Sequence, residues 1–317
     1  MKIMCLGGGP AGLYFSISMK LRNPSHEITV IERNRPNDTF GWGVVLSDEA
    51  LERLRENDPV TADRIRENFA YWDDIAVHYR GNRIVSGGHG FAGIGRMRLL
   101  NILQERAAEL GVDVRYETEA QGIDAYRHDH DLVVAADGIN SRVRRDWAEH
   151  FRPDIDVRKC KFIWLGTHQK FDDAFTFIFE ETEHGWMWIH AYQFDADTAT
   201  VIVECGPETW KRWGFEEMSK EESIATCERI FARHLGGHKL MSNANHLRGS
   251  AVWMNFPRVN CARWHHENVV LLGDAAATAH FSIGSGTRLA CESAIALADY
   301  LHSEADMTAA FERYQEE

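Results

Sequence analysis

The stretch "KIMCLGGGPAGLYFSISMKL", residues 2–21, decides the fold. A short apolar run, Ile3 to Leu6, reads as a strand. Gly7-x-Gly9-x-x-Gly12 follows, and an apolar-periodic segment then continues as a helix. Each glycine has its own task in such a unit. Gly7 permits the tight turn, Gly9 lets a pyrophosphate approach the backbone, and Gly12 lets helix and strand pack closely. Pro10, followed by Ala11, suits the first helical turn, where its missing N–H is not needed. The helix N-terminus faces the phosphates. A second strand, "EITVIER" (27–33), brings Glu32 and then Arg33 to the position, twenty residues past Gly12, from which a carboxylate accepts from the adenosine ribose hydroxyls. The unit reads as dinucleotide-binding, and by itself it does not separate NAD from FAD.

Two further strand ends carry acids. "DLVVAADGINSRVR" (131–144) is a buried strand ending in Asp137-Gly138, with Ser141 and Arg144 beyond it. "VVLLGDAAATAHFSIGSGT" (269–287) is an apolar run ending in Gly273-Asp274, followed by a loop with Gly284, Ser285, Gly286 and Thr287. In doubly wound sheets ligands gather at the carboxyl ends of strands. FAD is long enough to use all three ends. Asp274 can accept from a ribityl hydroxyl, and the Gly284–Gly286 turn can bring backbone N–H groups to the pyrimidine edge of the flavin. A helix N-terminus there offers about half a positive elementary charge to the reduced ring. Arg96 opens the helix "RMRLLNILQERAAELG" (96–111), whose Leu99, Leu103, Ala107 and Leu110 share one face. A cation is unfavourable at a helix start, so Arg96 hints at an anionic partner such as the cofactor.

The 317 residues are enough for one large domain or two ordinary ones, and 44% hydrophobic with 26% charged residues is a globular composition. A net charge of −13 argues against nucleic acid as a partner. The six cysteines are scattered without a C-x-x-C pair, as in a reducing compartment. "GGGP" interrupts the apolar start, so neither a signal peptide nor a membrane span is expected, and the location expected is cytoplasmic. His128, His130, His265 and His266 lack ligand spacing, so no metal is expected.

Between 160 and 205 the pattern changes to period two. "KFIWLGT", "FTFIFE", "WMWIHAY" and "TATVIVEC" read as an antiparallel sheet laid over the flavin side of the nucleotide-binding part. Six of the ten tryptophans lie between 164 and 253. Most of the aromatics are read as the sheet's own core. A few line a flat pocket above the ring, with Trp188, His190 and Tyr192 the first candidates. The expected fold is therefore α/β: a discontinuous Rossmann-like FAD-binding domain (1–70, 91–155, 256–317) interleaved with a smaller antiparallel-sheet substrate domain (71–90, 156–255).

As a set, Gly7-x-Gly9-x-x-Gly12, Asp137-Gly-x-x-Ser-x-x-Arg144 and Gly273-Asp274 resemble the class A FAD-dependent aromatic monooxygenases over essentially the whole chain. The loop "HFSIGSGT", with "GWGVVLS" (41–47) and its Trp42, is similar to a smaller branch acting on aryl-CoA thioesters and on indole-derived pigment precursors. Ala277 stands where most of the class carry histidine, Phe281 where they carry proline, Ser285 where they carry glutamine and Arg288 where they carry asparagine. The resemblance implies FAD as cofactor, NAD(P)H as a transient reductant, and oxygen transfer from O₂ through a flavin hydroperoxide to an aromatic small molecule. The substrate implied is an aryl-CoA thioester of the salicyloyl- or 2-aminobenzoyl-CoA type. An indole or tryptophan-derived substrate, or flavin binding without productive turnover because of Ala277, are the alternatives. His280 reads as a substrate-facing proton partner for a phenol, aniline or indole, or equally as a loop histidine bonded to backbone. The last helix, "MTAAFERYQEE", has no cap signal, so a continuation into a C-terminal domain is expected, in a monomer or homodimer.

Overall fold

The computed structural model describes residues 1–38, 41–171, 174–243 and 253–317. Its central sheet has six strands in the order His265–His266, Val269–Leu271, Leu132–Ala135, Lys2–Leu6, Glu27–Ile31, Asp113–Arg115. Every pairing is parallel except that of the edge strand His265–His266. Both faces are covered, which is why these strands read as continuous apolar runs. Ile3, Cys5, Val134 and Val270 point to the layer of helices Pro10–Arg22, Arg96–Glu109 and Gly286–Ser303. Met4, Leu6, Val133, Ala135, Val269 and Leu271 point to a second core with Phe151, Val259 and Cys261.

A larger sheet runs Leu240–Met241, Pro153–Thr167, Ala199–Cys205, Gly185–Gln193, Ala174–Thr182, Asp74–Tyr79, Asn82–Ser86, with Met254–Cys261 pairing beside Pro153–Thr167. It is antiparallel except where Ala174–Thr182 meets Asp74–Tyr79. Alternation splits its side chains cleanly. Ile163, Leu165, Ile178, Met187, Ile189, Val201 and Val203 form a core with Trp210, Phe215, Cys227 and Phe231 from the helical segment that follows. Phe162, Trp164, Phe177, Phe179, Trp188, His190, Ile202 and Glu204 occupy the opposite face, in rows fixed by the register. A three-stranded sheet, Gly43–Ser47, Phe91–Gly95 and Ala70–Trp72, joins the two units. Its Val45 and Trp72 pack on Phe175 and Tyr192.

Candidate active site

The glycine turn divides space as its sequence requires. Gly7 sits at φ +111°, and a Cβ there would lie 2.3 Å from the Ala136 carbonyl oxygen. A Cβ on Gly12 would lie 2.1 Å from the Gly7 carbonyl oxygen, whereas one on Gly9 would meet nothing within 4 Å. The crowded position is where helix meets strand, and the open one is where a phosphate would lie. Gly9 caps the helix with no side-chain bond, and Pro10 takes the first helical position. Glu32 lies at the adjacent strand end, where its carboxylate accepts from the Gly8 N–H at 2.8 Å and the Asn34 N–H at 2.8 Å. Arg33 beside it is exposed.

Asp137 and Asp274 end neighbouring parallel strands, so both reach the same edge of the sheet. One Asp137 oxygen accepts from the Arg142 N–H at 2.8 Å. The other, Oδ1, is buried beside the Gly7 turn with no hydrogen-bond partner among the described residues. Gly138 turns the chain at φ +77°. Arg144, which sequence reasoning quoted but left out of the site, ties this loop to the next. Its buried guanidinium donates to the carbonyls of Ile139 (2.5 Å), Asp274 (3.2 Å) and Ala275 (2.9 Å). Gly273 sits so close to the first turn that its Cβ would lie 3.0 Å from that of Ala11. Asp274 is exposed at its surface, while protein crowds around its carboxyl. Burial raises its carboxyl above the ordinary range, and the nearby Arg96 and Arg144 oppose the rise. Arg96 starts its helix with its backbone N–H on the Trp42 carbonyl at 2.8 Å, and its charge is felt by Asp274 and Tyr192 alike. The position unfavourable to the helix dipole is therefore compensated by Asp274.

The loop after Asp274 ends at Gly284, φ +67°, and the helix begins at Gly286, where a Cβ would meet nothing within 4 Å. Ser285 precedes this helix without a side-chain cap, and Thr287 lies in its first turn. His280 Nδ1 lies 2.7 Å from the Ser282 hydroxyl, and the Ser282 N–H donates to it at 3.3 Å. The histidine therefore bonds within its own loop. Burial lowers its pKa. Its ring packs on Phe256 (4.9 Å) and Phe281 (4.3 Å), and Phe281 meets Phe162 at 4.4 Å.

The aromatic face of the large sheet lies opposite this loop. His190 contacts Phe177 at 5.0 Å and Phe281 at 6.2 Å. Trp188 donates through Nε1 to Glu204 Oε2 at 3.0 Å, and His190 Nε2 lies 2.8 Å from the same oxygen. Tyr192 is buried and its hydroxyl donates to the Gly43 carbonyl at 2.7 Å, pinning the sheet to the joining strand. Trp42 lies against Gly166, whose Cβ would come within 2.7 Å of the indole. Sequence reasoning missed Glu204, which looks like one more alternating position in "TATVIVEC". Only the register, which sets it directly opposite Trp188, could have found it.

The described residues thus gather the three acidic strand ends and the Gly286 helix start around one region, with an aromatic face beyond. The orphaned Asp137 oxygen, the open Gly9 and Gly286 positions and the enclosed Asp274 suit an elongated dinucleotide. A cavity of ≈ 170 Å³ lies beside it, lined by Trp264, Asp274, Ala277, Gly286, Ala290 and Ser293 among others. Ala277 faces this cavity. Among the described residues no group of three or more His, Cys, Asp or Glu side chains could hold a metal ion. No described helix is long and apolar enough to cross a membrane.

Comparison with known proteins agrees with this geometry. The model of a family described as FAD binding domain matches residues 1–316. The chain is 41% identical over 309 residues to a salicyloyl-CoA 5-hydroxylase of a Streptomyces species, covering 95% of this chain and 58% of that protein. It is 36% identical to the 3-hydroxy-4-methyl-anthranilyl-[aryl-carrier protein] 5-monooxygenase of Streptosporangium sibiricum, over 100% of this chain and 83% of that one. It is 33% identical to the protodeoxyviolaceinate monooxygenase of Chromobacterium violaceum, with the same coverage of 100% and 83%. Among solved structures, 2-methyl-3-hydroxypyridine-5-carboxylic acid oxygenase superposes with a TM-score of 0.81 at 19% identity, over 99% of this chain and 86% of that one. Pseudomonas aeruginosa PqsL gives 0.75 at 19% identity, over 100% and 91%. At these identities the structural likeness speaks for the fold alone.

Proposed function

The chain belongs to the FAD binding domain family, and from that premise we propose that it is the oxygenating unit of an aromatic monooxygenase whose substrate is an aryl thioester of the salicyloyl- or 2-aminobenzoyl-CoA type. The observation that carries the reading is the convergence of Glu32, Asp137 and Asp274 on one edge of the parallel sheet, opposite an aromatic face built by a second sheet. The substrate class is supported by the 41% identity to the salicyloyl-CoA hydroxylase and the 36% identity to the anthranilyl carrier-protein monooxygenase. The chain spans 58% of the length of the first of these.

FAD, when bound, supplies the oxygen-activating chemistry, drawing electrons from NAD(P)H. The chain's residues do the rest. Gly7, Gly9, Pro10, Ala11 and Gly12 receive the pyrophosphate on a helix start. Glu32, with Arg33 beside it, holds the adenosine end, and Asp137 and Gly138 shape the turn between the strands. Asp274, set off by Gly273 and held by Arg96 and Arg144, takes the ribityl chain. Gly284, Ser285, Gly286 and Thr287 present N–H groups and a helix dipole to the ring edge, with Trp42 closing the side. Phe162, Phe177, Phe256 and Phe281 exclude water from the chamber, where His280, Trp188, His190 and Tyr192 hold its walls. The division into a discontinuous FAD-binding part (1–70, 91–155, 256–317) and a substrate part (71–90, 156–255) goes with this reading.

The test is turnover by the purified, FAD-loaded protein. NADH or NADPH oxidation should rise with salicyloyl-CoA or 2-aminobenzoyl-CoA, with a product heavier by one oxygen in mass spectra. Stimulation by free indoles alone would favour an indole-derived substrate, a reading that the 33% identity to the protodeoxyviolaceinate monooxygenase supports. Peroxide formation without product, cured by Ala277→His, would favour a flavoprotein disabled by the cavity at that position. Failure to retain flavin after reconstitution would end all three.

A further inference from the structure

We propose that the bulge at residues 158–160 is an anion site on the rim of the aromatic cluster, holding the phosphate that ends the pantetheine arm of an aryl thioester. The proposal rests on the aryl-thioester reading above and adds where the arm is gripped.

The register makes the bulge. Pro153–Thr167 pairs with Met254–Cys261 residue for residue up to Val157 opposite Pro257, and pairing resumes with Lys161 opposite Asn255. Three residues, 158–160, therefore stand against the single residue Phe256. Asn255 pins them. Its amide nitrogen donates to the carbonyls of Arg158, Lys159 and Cys160 at 2.9, 3.2 and 3.2 Å, and its Oδ1 accepts from Lys161 Nζ at 2.7 Å. In a trans peptide the N–H lies opposite the C=O. Successive carbonyls gathered on one amide turn the N–H groups of Lys159 and Cys160 away from Asn255, as in the backbone concavities that bind anions.

Charge and position point to a phosphate. In a chain of net charge −13, this bulge carries Arg158 and Lys159, both exposed. Lys159 makes no ion pair among the described residues. Arg158 has Asp156 at 2.8 Å, but both side chains are about half exposed and such a pair holds weakly. Arg258 is taken by Asp154, and Lys161 lies over the Trp210 ring at 4.7 Å, on the far side of the sheet. The bulge flanks the candidate site. Phe256, which it faces across the ladder, packs on His280 at 4.9 Å and Phe281 at 5.7 Å, and Phe162, two residues past Cys160, meets Phe281 at 4.4 Å. The Cys160 thiol is raised by burial and by Glu204, and the charge of Arg158 reaches His280. From Phe162 back to Arg158 is four residues, about 13 Å along an extended strand. The arm between a thioester sulfur and its phosphate contains two amides and is about as long as four or five extended residues, ~15 Å. An aryl group against Phe281 would bring that phosphate to the bulge. CoA and a carrier protein both present this phosphate.

The experiment compares FAD-loaded wild type with the double variant Arg158→Ala, Lys159→Ala and with Asn255→Ala, using flavin content per chain and melting as checks on folding. The substrates are salicyloyl-CoA, salicyloyl-4′-phosphopantetheine and salicyloyl-pantetheine, the last lacking the phosphate. The double variant should raise KM roughly tenfold for the first two at unchanged kcat and leave the third as in wild type. Asn255→Ala, which acts through the bulge, should show the same split between phosphorylated and unphosphorylated arms. Without turnover, 4′-phosphopantetheine titrated calorimetrically should bind wild type about tenfold more tightly than the double variant, a difference that shrinks at high salt. Turnover of a salicyloyl group only on a carrier protein, lost in the double variant, would support the site with the carrier as the source. Equal losses with all three thioesters, a loss confined to salicyloyl-CoA, or 4′-phosphopantetheine binding indifferent to the double variant each overturns it. If wild type hydroxylates no thioester, the substrate reading fails while the titration still decides the bulge.

Discussion

Gly9 and Gly12 belong to one turn and answer to different demands. Gly12→Ala would push a Cβ to 2.1 Å from the Gly7 carbonyl oxygen, a backbone atom that cannot swing away. Overpacking of this kind costs about 1–3 kcal/mol, so melting of the flavin-free protein should drop visibly. Gly9→Ala meets nothing. Its flavin-free melting should match wild type, while FAD affinity in a fluorescence titration falls roughly tenfold or more, about 1.4 kcal/mol. Asp274 makes the opposite exchange. Enclosure raises its carboxyl pKa, so the folded state keeps a proton that the unfolded chain releases from about pH 3.9 upward. Stability therefore falls as pH rises from there through the raised value, and the penalty is complete above it. Asp274→Asn should melt higher than wild type at pH 7 without flavin, lose that advantage below about pH 4, and bind FAD more weakly. A flavin-free variant less stable than wild type at pH 7 would contradict this. Most of these residues were legible because short-range spacing marks them: three glycines, then an acid twenty residues on, then acids closing apolar runs. Glu204 was not, since its meaning comes from a neighbouring strand.

Helices with local signals were readable as elements. Ser219 and Glu222 announce a capping box, and the structure has both reciprocal bonds, with the Ser219 hydroxyl accepting from the Glu222 N–H at 3.2 Å and Glu222 accepting in return at 2.8 Å. Ser219→Ala should lower stability by about 1 kcal/mol in denaturant titration and leave flavin content untouched, because this helix packs on the far side of the large sheet. Strands with distant partners were harder. Pro153–Thr167 begins eight residues before the "KFIWLGT" run because its front half pairs with Met254–Cys261 across a break in register between Val157 and Lys161. Asn255 holds that break by donating to the carbonyls of Arg158, Lys159 and Cys160. The parallel pairing of Asp74–Tyr79 with Ala174–Thr182 left no trace in either segment alone.

At the scale of the molecule, one side chain joins pieces far apart in the chain. Arg144 bonds the carbonyls of Ile139, Asp274 and Ala275 and so locks two strand ends at a common distance. Arg144→Ala would take the guanidinium from the part-buried Ile139 and Asp274 carbonyls and leave the buried Ala275 carbonyl with only the Cys261 thiol as donor; charge-assisted bonds contribute roughly 1.5–3 kcal/mol each, so melting should fall by several degrees and flavin should dissociate on gel filtration. Retention of flavin at wild-type stoichiometry would refute that role. The strand order of the parallel sheet also bears on how the chain comes off the ribosome. Lys2–Leu6 is made first and sits at the middle, yet its neighbour Leu132–Ala135 is not covered until Val269–Leu271 has been synthesised. Until then the nascent polypeptide carries an unpaired apolar edge, and a premature stop before that last strand would leave it permanently open to chaperones and proteases.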